Sequence, residues 1–157
     1  MGVVVDVGAH PEGVDVHRCK AGGPRPDALA FNPYMNGLVP AYKPKEAPSD
    51  GAITLRNLDQ LERWLNRTYG GTVPIWFTEF AWRTAPTPKL GTISPAKQAD
   101  LLHKTVKLVR THYPYAKLLV WYLVRDESPT SYWRSGLATF DWQQKPAYGL
   151  YKVLAGI

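Results

Sequence analysis

Two apolar runs with one helical stretch between them constrain this chain more than any other feature. The first, Val73–Glu79, is nearly continuous and apolar, as in a strand covered on both faces. The second, Lys117–Val124, has the same character. Between them, Ser94-Pro95 marks a helix start with proline at its first position, and Leu101, Leu102, Val106, Leu108 and Val109 supply an apolar side before Pro114. Strand, helix, strand in this order is a βαβ unit and requires a parallel sheet.

The same grammar extends in both directions. Val3–Val7 reads as a short β-branched strand, and residues 27–32 as a second one stopped by Pro33. Thr54 is expected to cap a helix that carries Leu55, Leu58, Leu61, Trp64 and Leu65 on one face and ends at Gly70-Gly71. Lys145-Pro146 opens a last helix, along which Ala147, Leu150, Val153 and Leu154 repeat at helical spacing. The expected fold is α/β, one domain over residues 1–157, with four strands at 3–7, 27–32, 73–79 and 117–124. The longest polar loops follow the C-terminal ends of strands, the edge at which α/β proteins bind ligands. A complete (β/α)8 barrel needs about 250 residues, so 157 residues reach only a partial barrel of about four βα units.

Composition narrows the function. The net charge is +6, but the basic residues are spread over two helical faces, Arg56, Arg63 and Arg67 on one and Lys97, Lys104, Lys107 and Arg110 on the other. That distribution describes solvated surfaces, and no nucleic-acid-binding motif accompanies it. The single cysteine, Cys19, leaves no intramolecular disulfide, and no run approaches the ~20 apolar residues of a membrane span. Met1–Val7 lacks the build of a signal peptide, which taken alone points to a cytoplasmic chain. The four histidines have no metal-ligand spacing, and phosphate-loop, dinucleotide and Gly-x-Ser-x-Gly motifs are missing, so neither metal nor cofactor is expected.

The segment that carries chemistry is Trp76–Trp82 (Trp-Phe-Thr-Glu-Phe-Ala-Trp). A carboxylate at the rim of a buried strand costs desolvation energy unless it has a partner or a chemical role. Sugar chemistry supplies such a role, in which a carboxylate attacks the anomeric carbon while aromatic rings stack on the sugar face. The structural alternative is an ion pair between Glu79 and Arg83 or Arg125.

Ile75–Trp82 resembles the seventh-strand motif of clan A glycoside hydrolases, especially families 5 and 39, in which the Glu is the nucleophile of a retaining mechanism. Three more segments agree in order. Asp27–Tyr34 (Asp-Ala-Leu-Ala-Phe-Asn-Pro-Tyr) resembles the sixth-strand segment, with Asn32 where the family usually has His. Val120–Asp126 resembles the eighth strand, whose Trp floors the subsite of the cleaved sugar, and Ser135–Tyr148 the segment leading into the eighth helix. The resemblance spans roughly residues 24–154. It implies the C-terminal half of a (β/α)8 barrel acting on β-linked glycans, with Glu79 as nucleophile, Asn32 in the place of the sugar-contacting His and Trp121 as a sugar platform, the alternative for Trp121 being strand core. Beside these, Tyr34 is a candidate to hydrogen-bond the nucleophile or to cap the core, and Trp82 and Trp133 to line the cleft or to cover the sheet top.

The resemblance leaves out the family's acid/base Glu, which lies after an Asn on the fourth strand; no such pair precedes residue 24. A retaining enzyme needs two carboxyl groups about 5–5.5 Å apart. A half barrel also exposes two sheet edges and an apolar face, so self-association is expected. Two chains of four strands would close a ring of eight, with Asp126 or Glu127 of a second copy as the proton donor. Plain loop carboxylates are the alternative for both. An inactive carbohydrate-binding relic, or a fragment of a longer glycosidase, competes with the enzyme reading.

Overall fold

The computed structural model describes residues 25–35, 39–45, 53–85 and 91–156. The expected strand at 3–7 and Cys19 lie outside these residues. Among the described residues three strands, β1 (Leu29–Phe31), β2 (Ile75–Phe80) and β3 (Ala116–Trp121), form one parallel sheet in the order β1-β2-β3. Helix α1 (Asp59–Tyr69) links β1 to β2, α2 (Pro95–His112) links β2 to β3, and α3 (Pro146–Ala155) follows β3. This is an α/β arrangement consistent with part of a barrel.

The start of α2 and the end of α1 follow the sequence signals. The Ser94 hydroxyl accepts from the Lys97 amide at 3.2 Å, and Pro95 occupies the first turn. Gly70 terminates α1 at φ 71°, where a side chain would be strained. The start of α1 differs from expectation. The Asn57 side chain accepts from the Thr54 amide at 2.8 Å, and the Thr54 hydroxyl from the Arg56 amide at 3.1 Å. These local bonds hold residues 54–57 in a turn, and the helix begins at Asp59, later than its apolar pattern implies.

Period-two alternation sorts the sheet into unlike faces. On the helix side Leu29, Ile75 and Phe77 join Leu55, Leu58, Leu61 and Leu65 from the α1 region and Leu101, Leu102, Leu108 and Val109 from α2 in one buried core. On the other side Trp76, Leu118 and Val120 are 42%, 41% and 40% exposed. Complete burial of side chains of this size is worth roughly 1.5–3 kcal/mol each, part of which this face leaves unrealised.

The sheet is irregular where β2 ends. Phe77 pairs with Leu119 but Phe80 with Trp121, so three residues of β2 oppose two of β3. Such a bulge re-aims the side chains beyond it. Leu123, at φ 73°, then turns the chain, and β3 stops at Trp121 instead of reaching Val124.

Candidate active site

All three strands run parallel, so their C-terminal ends share one rim. Glu79 lies at the rim end of the central strand, partly exposed. Tyr34, three residues past β1, donates its phenolic proton to Glu79 Oε2 at 2.9 Å. Burial, followed by this bond and the Glu79 charge, raises the Tyr34 phenol well above its ordinary range, so it remains a donor at any working pH. Glu79 forms no ion pair with Arg83 or Arg125. Asn32 accepts from the Thr78 hydroxyl at 2.7 Å, which ties the β1 end to the central strand.

An aromatic wall stands over this pair. Trp133 lies 5.7 Å from the Tyr34 ring, 5.8 Å from Tyr122 and 5.2 Å from Tyr132, between centroids. Trp133 is partly open to solvent, as a sugar-stacking surface requires.

Trp82 and Trp121 correct the expectation of two further platforms. They are only 5% and 6% exposed, pack on each other at 6.2 Å and flank Phe80. The Trp121 indole donates to the Ser135 carbonyl at 2.9 Å. The bulge explains the exchange: Trp121 pairs with Phe80 on the buried side, and the next residue, Tyr122, meets the aromatic wall.

Asp126 also departs from expectation as a cleft carboxylate. It is buried, and receives both the Lys145 ammonium, at 2.8 and 2.9 Å, and the Gly136 amide, at 2.8 Å. Lys145 further donates to the Thr84 hydroxyl at 3.0 Å. Burial pulls the Lys145 ammonium below its ordinary range, opposed by the Asp126 bond. Glu127 is exposed and accepts from Ser131, whose oxygen in turn accepts from the Trp133 amide at 3.2 Å.

Three residues escaped the sequence reading. Tyr122 was hidden by the bulge, and Tyr132 by its place in an irregular loop. Gln98, buried on α2, donates to the carbonyls of Trp82 at 2.9 Å and Ser135 at 3.1 Å, joining the loops that follow β2 and β3. A polar residue at a helix position facing the core is the signal that could have found it. Among the described residues no three His, Cys, Asp or Glu side chains converge as metal ligands, and no helix is long and apolar enough to cross a membrane.

No protein-family model matches the chain, and no curated protein matches it. Solved structures do. A family 39 glycoside hydrolase from Bacteroides cellulosilyticus WH2 superposes with TM-score 0.65 at 23% identity, covering 84% of this chain and 27% of that one. A β-glucuronidase from Ruminococcus gnavus gives 0.54 at 23% identity, covering 82% and 22%. The Lactobacillus rhamnosus β-glucuronidase gives 0.53 at 20% identity, covering 83% and 22%. The chain spans about a quarter of the length of these clan A glycoside hydrolases, and it is with that part of their fold that it is similar.

Proposed function

We propose that this chain forms part of the active site of a retaining glycoside hydrolase for β-linked glycans, with Glu79 as nucleophile. The observation that carries this reading is the Glu79–Tyr34 pair at the sheet rim beneath Trp133 and Tyr122. A neutral donor fixes one carboxylate oxygen and leaves the other to attack. In the first step Glu79 bonds to the anomeric carbon as the bond to the leaving oxygen breaks, and that oxygen takes a proton from an acid. In the second, water hydrolyses the glycosyl ester and returns the enzyme.

The acid belongs to strands that would cover the open sheet face of Trp76, Leu118 and Val120. In a second copy Glu127 remains the candidate, since the Asp126 oxygens already receive Lys145 and an amide. A ring of eight from two copies counts on the strand expected at 3–7. Light scattering tests this part: a monomer at every concentration removes it.

The nucleophile can be tested without the acid. A fluorinated aryl β-glycoside with a dinitrophenolate leaving group departs unprotonated and traps the ester. Intact mass should rise by one glycosyl unit, mapped to Glu79, with no gain in Glu79→Gln. An unlabelled wild-type chain that still binds oligosaccharide would favour the second reading, a carbohydrate-binding relic. That reading is supported by the absence, among the described residues, of a second unpaired carboxylate beside Glu79.

A further inference from the structure

Arg83 stands out on the same rim. Its guanidinium lies 3.8 Å above the Tyr132 ring and 5.6 Å from Trp133, the residue that also packs on Tyr34. Gly91, at φ +78°, lies against the end of one terminal guanidinium nitrogen, where an added Cβ would come within 2.5 Å of it. The cation is therefore held in a slot built from two loops, those that follow β2 and β3.

No anion fills that slot among the described residues. The rim carboxylates have other partners: Glu79 has Tyr34, Asp126 has Lys145 and Glu127 has Ser131. The nearby Arg125 and Arg134 donate to the carbonyls of Phe140 and Pro129, which add no negative charge. A guanidinium lying over a ring face directs its N–H donors outward in its own plane, and an edge that carries two of them can grip a carboxylate with two parallel bonds. Rings that present one face to a guanidinium and a neighbouring one to a sugar join charge recognition to sugar stacking.

We propose that the Arg83–Tyr132–Trp133 cluster is a subsite for a saccharide unit that carries an oxyanion, a uronate carboxylate or a sulfate ester, next to the unit bound over Glu79. This rests on the glycan-binding reading of the cleft and specifies its substrate class.

The test is calorimetric titration of the chain, at low ionic strength, with three matched oligosaccharides. One ends in glucuronate, one in glucose and one in a glucose sulfate ester. At least one charged ligand should bind about tenfold tighter than the neutral one, the worth of a charge-assisted hydrogen-bonded pair. The better of the two charged arms identifies the anion. Arg83→Gln should abolish the preference and keep the affinity for the neutral ligand, which also reports an intact fold. Arg83→Lys, which keeps the charge without the fork, should retain only part of it. Equal binding of all three ligands, or a preference that survives in Arg83→Gln, overturns the proposal. Covalent labelling of Glu79 without charge preference sinks this inference alone. Charge preference without labelling sinks the nucleophile alone.

Discussion

Glu79, near the end of β2, and Asp126, in the loop after β3, belong to neighbouring strands of one sheet and meet opposite surroundings. Glu79 is partly open and held by a single neutral phenol. Asp126 is buried and held by an ammonium and a backbone amide, and that ammonium is itself bonded to Thr84. A carboxylate with a neutral donor keeps its charge uncompensated and a lone pair facing outward, as a nucleophile must. A carboxylate closed in by a cation and an amide has no direction left in which to react. Chemistry and architecture are thus divided between two acidic residues that look alike in the sequence.

Substitution is the strongest way to break this contrast. Lys145→Met leaves Asp126 buried without its cation and should cost about 3–5 kcal/mol in denaturant unfolding. Adding Asp126→Asn should restore much of the loss, because the isolated charge is then gone. Glu79→Gln keeps an acceptor for Tyr34 and should change stability by no more than about 1 kcal/mol while abolishing the covalent label. Equal costs for Lys145→Met and Glu79→Gln would show that both carboxylates are structural.

A smaller effect sharpens the contrast at alkaline pH. The folded Tyr34 holds its proton above the ordinary value of 10.0, so an unfolded chain loses that proton first. Stability from this group is complete below pH 10.0 and falls as pH rises past it. Lys145 has the opposite sign. Its folded value lies below 10.5, so the unfolded state binds more protons just under that pH and stability rises toward it. Each slope stays under the ~1.4 kcal/mol per pH unit of a single fully displaced group, Tyr34 further under because solvent screens it. Melting curves between pH 8 and 11 would read both as differences from the parent chain, with Tyr34→Phe removing its share of a falling component to which the buried Tyr113 and Tyr115, also raised, contribute, and Lys145→Met removing the rising one. Matching signs would refute the assignment.

Much of this was legible beforehand because the signals are local. Ser94-Pro95 started α2 and Gly70 stopped α1, each for a reason contained within a few residues. The apolar run before Glu79 placed it at a strand end for the same reason. Thr54 misled because the side chain that caps a helix can also close a turn, and Asn57 decided the matter. Trp121 misled because its orientation depends on the mismatch between β2 and β3, a property of two strands together. Lys145 meeting Asp126 and Thr84 joins residues up to 61 positions apart, beyond any periodicity.

Gln98 carries a consequence for engineering. One amide on the helix behind the sheet fastens both loops that frame the cleft, through the carbonyls of Trp82 and Ser135. Anyone moving these loops onto another scaffold to transplant the cleft would have to carry Gln98 with them, because the smallest portable unit includes part of the helix that never meets the ligand.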